Sequence, residues 1–251
     1  MVPSERVSST RQWRGSIVGG VLAALLRKVS RTAVLSVTSA DPNGATGGAG
    51  ERVVEGLLRD ASRGHVIIPF WSAHQLTIAL LASERFGFRA VLDRFEVVVD
   101  DSFGGDIMRR VGVEFGLKLR TIHTRGNPRR LEDLGAWLRN PASFLIAVDG
   151  GTMYGHVPPG TIRLAARLNS TLWPLAVCAR PRTRCPGLIA EIPLPGAALA
   201  LAVGAPLRID RQMPVAAAGE ELKQRLDAAG IAARAVLATS RGADGRKRRW
   251  S

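Results

Sequence analysis

The chain has 251 residues, of which 46% are hydrophobic and 22% charged, and this balance excludes an intrinsically disordered protein. Its formal net charge of +14 favours anionic partners such as acidic lipid headgroups or nucleic acid, unless the scattered arginines only solvate the surface. The two cysteines, Cys178 and Cys185, form no CxxC pair, which excludes a disulfide framework and a cysteine zinc site and favours reduced thiols in a reducing compartment.

The N-terminal segment is predicted to be basic and flexible over residues 1–15 and helical over 16–30. One face of this helix carries four apolar residues, Val18, Leu22, Leu25 and Val29. With flanking arginines, the pattern fits either a helix lying at a membrane surface or an ordinary amphipathic helix packed on the domain. No segment reaches the roughly 18–20 apolar residues of a spanning helix. Charges on both sides of the apolar run argue against a signal peptide.

Helices and strands alternate along the rest of the chain. After a first strand that ends near residue 38 and a loop over 41–50, strands are predicted at 65–70, 89–92, 118–123, 143–148 and 172–177. Helices are predicted at 51–60, 73–84, 101–115, 127–139, 160–168 and 214–230. Residues 188–192 and 200–203 are predicted to pair across a turn at 193–196. This order predicts an α/β domain over residues 16–235, with a mostly parallel central sheet and helices on both faces. Residues 236–251 are predicted to be a basic, disordered tail.

Four short motifs follow predicted strands or form one. They are residues 69–75 (PFWSAHQ), 124–127 (TRGN), 148–152 (VDGGT) and 172–177 (LWPLAV), with a Pro-Gly at 159–160 opening the helix between the last two. In this order and spacing the sequence resembles the lysophospholipid acyltransferase superfamily over about residues 16–230. It looks closest to the bacterial branch called domain of unknown function 374. That resemblance implies a glycerolipid-acyltransferase-like fold.

The resemblance also implies a chemistry. A histidine acts as general base on an acceptor hydroxyl, which attacks the thioester of an acyl donor, because a hydroxyl is a poor nucleophile near neutral pH. His74 would be that base, with Ser72 at the position where the family has its histidine. Arg125 and the backbone of nearby residues would hold the acceptor's phosphate. The substrate-binding residues implied are Arg125, Gly126, Asp149, Gly150, Gly151 and Thr152.

The chain departs from the family pattern in three ways. His74 lies two residues after the expected position. Four residues later stands Ile78, where the family has a carboxylate that orients the histidine, although the closer branch often lacks that acid. Gly151 and Thr152 stand where the branch has proline and arginine. These departures leave open a family member that has lost catalysis and only binds lipid or a partner protein.

Each site residue also has a purely structural interpretation. His74 fits a helix-surface histidine, Ser72 a helix N-cap, and Arg125 a solvated loop arginine. Asp149 fits either a ligand crevice after a buried strand or an Asx turn. Gly150 and Gly151 fit a tight turn.

The function that the sequence favours is transfer of an acyl group from acyl-CoA or acyl carrier protein to a lysophospholipid-like hydroxyl, with no bound cofactor and no metal. His123 and His156 lack partners at metal-ligand spacing. The expected partners are an anionic phospholipid surface, the lipid acceptor and acyl carrier protein. The expected location is peripheral, on the cytoplasmic face of the cell membrane. Nucleic-acid binding rests only on charge and the basic tail, since no recognised nucleic-acid fold motif occurs.

Overall fold

The computed structural model describes residues 4–40, 49–122, 143–149, 155–184, 189–210 and 212–239. In these ranges the helices are α1 Ser4–Thr32, α2 Ala49–Arg63, α3 Gln75–Leu81, α4 Arg89–Leu92, α5 Phe103–Glu114, α6 Pro159–Leu168 and α7 Val215–Thr239. The strands are β1 Val34–Ser39, β2 Val66–Phe70, β3 Phe95–Asp100, β4 Lys118–Ile122, β5 Ser143–Ala147, β6 Thr171–Leu172, β7 Leu175–Arg184, β8 Glu191–Val203 and β9 Leu207–Arg208. Short 3-10 turns, Ser72–His74 and Glu84–Phe86, precede α3 and α4.

The strands form two sheets. The larger has six strands in the order β4-β3-β5-β2-β6-β9, and all its pairs are parallel except β6 with β9. The smaller has the order β1-β8-β7, with β1 parallel and β7 antiparallel to β8. The larger sheet positions the candidate site, because the loops that follow its parallel strands emerge at one edge.

Side chains of the larger sheet alternate between two hydrophobic clusters, as the two-residue period of a strand requires. On β2, Ile68 belongs to the cluster that contains residues of α1, α3 and α5, whereas Ile67 belongs to the cluster with residues of α6 and α7. On β5, Leu145 belongs to the first of these clusters and Phe144 to the second. Helices therefore cover both faces of the sheet, and the predicted α/β class with a mostly parallel central sheet is confirmed.

The strand predicted at residues 89–92 is wrong. Arg89–Leu92 is a single helical turn, and the strand of this region is Phe95–Asp100. A run of four residues is too short for its periodicity to separate helix from strand. The run that follows it alternates properly, because Phe95 packs into the first cluster and Val98 into the second.

The hairpin predicted between residues 188–192 and 200–203 is also wrong. Both segments lie in one continuous strand, β8, which pairs with β7 on one side and β1 on the other. Gly196 has a φ of +78° and lies inside this strand, where the pairing of β7 and β8 shifts register between Arg180 and Arg182. The glycine therefore allows an irregularity within a strand rather than a chain reversal.

The long helices extend beyond their predicted ends. Helix α1 already begins at Ser4, inside the segment predicted to be flexible, and α7 continues to Thr239, inside the predicted tail. Gly230 does not end α7, because Ala233 and Leu237 continue its buried face against β7 and β8. The helix predicted at 127–139 lies outside the described residues.

Candidate functional site

The carboxyl ends of β2 and β5 lie side by side. The two strands are parallel, with Phe70 opposite Ala147, and the Val148 amide donates to the Phe70 carbonyl at 3.0 Å. Ser72 and Asp149 therefore leave the sheet at the same edge, although 77 residues separate them. This edge is where open α/β sheets place their ligands.

A hydrogen bond joins the first and third motifs at this edge. The backbone N–H of Ser72 donates to Oδ1 of Asp149 at 2.7 Å. Asp149 is fully buried, and burial raises the pKa of its carboxyl, whereas hydrogen bonds from Ser72 and from the backbone of Asp149 and Gly155 oppose that rise. The carboxylate thus supports the start of the Ser72–His74 turn from across the sheet, as an anion at a helix N-terminus does.

This bond and the capping geometry decide the structural interpretation of Ser72. Ser72 is not a helix N-cap: residue 71 is the N-cap of the 3-10 turn, His74 is the N-cap of α3, and neither makes a side-chain cap bond. Ser72 itself donates its amide to Asp149 instead. Asp149 in turn joins two distant loops, which a local Asx turn alone does not do.

His74 is buried in the same turn but has different surroundings. Its side chain is 3% exposed, so the interpretation as a helix-surface histidine is wrong. Burial, together with the charges of Arg234 and Arg182, lowers the pKa of His74 to about 4. Its Nδ1 has no hydrogen-bond partner among the described residues. The imidazole is therefore neutral near pH 7, the form a general base must have.

The positive charges around His74 come from the smaller sheet and the last helix. Strand β7 contacts the Ser72–His74 turn. On β7, Arg182 pairs through Nε with Glu191 of β8 at 2.7 Å and donates from Nη1 to the Ala179 carbonyl at 3.3 Å. Arg234 lies on α7. The same charges act on the buried thiol of Cys178, whose pKa burial raises.

Sequence reasoning missed Arg182, Glu191 and Arg234 as neighbours of the site. The signal that was available is the run 180–184 (RPRTR), an alternation of arginine with smaller residues that is typical of an exposed strand edge. The strand predicted here ends at residue 177, so this run was not assigned to any element. Arg234 gave no comparable signal, because it is one charge on a long helix.

The remaining predicted site residues stay predictions. Arg125, Gly126, Gly150, Gly151 and Thr152 lie outside the described residues. Ile78, four residues after His74, is 3% exposed within the core. Within the described ranges no group of three or more metal-ligating side chains occurs.

A second surface of interest lies on α1. One face of this helix packs closely on α5, where a Cβ on Gly15 or Gly19 would lie 2.7 Å from the Cβ of Asp106 or Arg110. The outer face carries an apolar stripe, which we call the α1 stripe: Trp13, Ile17 and Val21 are 64%, 47% and 66% exposed. No helix in the described part of the chain has the length and hydropathy to cross a bilayer.

Comparison with known proteins identifies a similar solved structure. It is the 1-acyl-sn-glycerophosphate (LPA) acyltransferase PlsC from Thermotoga maritima, with 12% sequence identity and a TM-score of 0.42. The alignment covers 95% of this chain and 84% of that one. No family model matches the sequence, and no curated protein matches it.

Proposed function

We propose that the protein transfers a fatty acyl group from a thioester donor, acyl-CoA or acyl carrier protein, to a hydroxyl of a lysophospholipid-like lipid. The order and spacing of the four motifs support this assignment and the bacterial branch named above. The observation that carries the proposal is the hydrogen bond between Ser72 and Asp149. It brings the first and third motifs together at the ligand-binding edge of the sheet, which is what a shared site requires.

The proposed reaction begins with His74 taking the proton of the acceptor hydroxyl. The hydroxyl oxygen then attacks the thioester carbonyl, and the tetrahedral intermediate collapses with loss of the thiolate. The imidazolium returns its proton to that thiolate, so the base is regenerated. Because the pKa of His74 is about 4, the residue is available as a base at neutral pH, and its protonated form is a strong acid toward the leaving group.

The proposed role of the second and third motifs is to hold the acceptor's phosphate. Arg125 would supply the charge and a forked pair of donors. The backbone amides of Gly126, Gly150, Gly151 and Thr152 would supply further donors, since glycine lets the backbone approach an anion closely. Asp149 would then position the loop rather than touch the phosphate, because like charges repel.

A second candidate function is supported by the burial of His74. A base must touch the hydroxyl that it deprotonates, and this imidazole is 3% exposed. A family member that binds lipid without turning it over would have no need for an accessible histidine.

Replacement of the histidine separates the two functions. In His74→Gln the side chain stays polar and similar in volume but no longer accepts a proton. We expect transfer of labelled acyl groups to fall by a factor of about 10² to 10⁴, the usual contribution of a general base. His156, which is exposed, provides the control variant His156→Gln. A folded His74→Gln protein with the turnover of the wild type removes His74 from the mechanism. Lipid binding without turnover in the wild type supports the second candidate.

We also propose that the protein acts at the cytoplasmic face of the membrane through the α1 stripe. Trp13, Ile17 and Val21 occur at intervals of four and lie on one side of the helix. Exposed basic residues of the same helix, Arg14 and Lys28, would lie near lipid phosphates. Apolar residues that insert below the headgroups and cations that meet them are the two parts of an interfacial helix.

Co-sedimentation with vesicles tests this placement. In Val21→Ser we expect binding to vesicles that contain anionic phospholipid to weaken about fivefold, because roughly 1 kcal/mol of apolar burial is lost. Ile231 on α7 is 62% exposed, close to the 66% of Val21, so Ile231→Ser is the matched control. Equal weakening in the two variants would refute a specific role of the α1 stripe.

A further inference from the structure

The β7–β8 pair forms an open cleft near the end of β7, the strand that also contacts the Ser72–His74 turn. The cleft has a volume of about 430 Å³ and is lined by Arg180, Pro181, Arg182, Thr183, Arg184 and Glu191. Three of these six residues are arginines and one is an acid. The cleft is therefore strongly positive.

The single acid is already paired. Glu191 accepts from Nε of Arg182 at 2.7 Å, and the glutamate side chain is 13% exposed. Arg180 and Arg184 are exposed, and no carboxylate of the described residues forms a salt bridge with either. Two guanidinium charges in the cleft thus remain uncompensated within the described structure. A guanidinium offers a planar fork of donors that matches the oxygens of a phosphate.

Arg182 connects the cleft with the candidate base. Its Nη1 donates to the Ala179 carbonyl, so the guanidinium folds back along β7, the strand that contacts the Ser72–His74 turn. Its charge is also one of the two that act on His74. A ligand held by the arginines would therefore lie within electrostatic reach of that residue.

We propose that the cleft between Arg180, Arg182 and Arg184 binds a phosphate group of one of the two substrates and holds that substrate beside His74. This inference rests on the proposed function, since it assigns the site of a substrate phosphate. The phosphate belongs either to the coenzyme A part of the donor or to the acceptor lipid, and in the second case the cleft would hold it in place of Arg125. Both present the same chemistry to the arginines.

A phosphate bound in the cleft would also change the pKa of His74. The charges that act on His74 are Arg182 of β7 and Arg234 of α7, and Glu191 of β8 is the acid already paired with Arg182. A bound dianion would offset the guanidinium charge and make protonation of the imidazole easier. The substrate would thereby raise the pKa of His74 above its value in the empty site, although burial, the largest cause of the lowered pKa, would remain.

Calorimetric titration of the full chain tests the site without any need for turnover. The probes are coenzyme A and glycerol 3-phosphate, and the proteins are the wild type, the double variant Arg180→Ala/Arg184→Ala and the control Arg59→Ala, which removes an exposed arginine of α2. We expect the dissociation constant of at least one probe to rise about tenfold or more in the double variant and to be unchanged in the control. Loss for coenzyme A alone assigns the cleft to the donor, and loss for glycerol 3-phosphate alone assigns it to the acceptor.

Equal affinity of the wild type and the double variant for both probes overturns the inference, as does equal loss in the control or no binding of either probe. A second readout is the ring-proton NMR signal of His74, which should titrate at higher pH in the presence of the bound probe. Binding that depends on the arginines in a protein with no acyl transfer would refute the proposed enzyme but not the phosphate site. The two failures are therefore distinguishable.

Discussion

Acid should destabilise the folded protein, because His74 must stay uncharged inside it. Burial and two guanidiniums lower the pKa of His74 from 6.5 to about 4, so between these values the unfolded chain binds a proton that the folded protein does not. The neutral His74 contributes fully to stability at pH values above its pKa in the unfolded chain. This contribution is lost as the pH falls toward the pKa of His74 in the folded protein. For one such group the free energy of unfolding drops by about 2 kcal/mol between pH 7 and pH 5 and by about 3 kcal/mol by pH 4.

Urea unfolding followed by circular dichroism at pH 7 and pH 5 measures this loss. The comparison uses the wild type, His74→Gln and the control His156→Gln, which separates the loss of the buried histidine from the loss of an exposed one. We expect the free energy of unfolding of His74→Gln to fall about 2 kcal/mol less than that of the wild type over this interval. His156→Gln should behave as the wild type. An identical loss in wild type and His74→Gln would refute the argument that this imidazole is kept neutral by its surroundings.

Two further substitutions test the packing that supports the site. Asp149→Ala should lower the free energy of unfolding by about 1–3 kcal/mol, because the buried Ser72 amide loses its acceptor, and urea titration at pH 7 measures this. Gly19→Ala should also destabilise, by about 1–3 kcal/mol, since its Cβ would lie 2.7 Å from the Cβ of Arg110. Gly20→Ala is the matched variant: its Cβ would have only one neighbour, at 4.0 Å, so improved helix propensity should stabilise by up to about 1 kcal/mol. Equal effects of the two glycine substitutions would contradict the close packing of α1 on α5.

The meeting of the first and third motifs could be predicted from the sequence. Residues 65–70 and 143–148 are short, continuously apolar runs, which is typical of strands buried on both faces. The residues that follow parallel strands gather at one edge, so His74, Arg125 and Asp149 are expected to lie around one crevice. The structure adds the particular bond, the Ser72 amide to the Asp149 carboxylate, which no pattern of residue types specifies.

The surroundings of His74 could not be predicted in this way. They depend on the path of β7 past the Ser72–His74 turn and on the face that α7 turns toward β7, which are tertiary features with no local signature. The sequence has Ile78 where the family that it resembles carries a carboxylate, so it predicts no charge of either sign beside His74. In the structure, burial and then the charges of Arg234 and Arg182 lower the pKa of His74, which is opposite in sign to the shift that a carboxylate would cause.

Because positive charges rather than a carboxylate act on His74, the strength of the proposed base depends on its substrates. A carboxylate beside a histidine stabilises the imidazolium and makes the ring a stronger base before any substrate arrives. In this protein the residue four positions after His74 is Ile78, and burial together with two guanidiniums weakens the base in the empty site. A substrate phosphate bound to the same guanidiniums would do what the missing carboxylate does elsewhere, but only while the substrate is present. Under the proposed mechanism the base is therefore stronger while the substrate that carries this phosphate is bound than in the empty site.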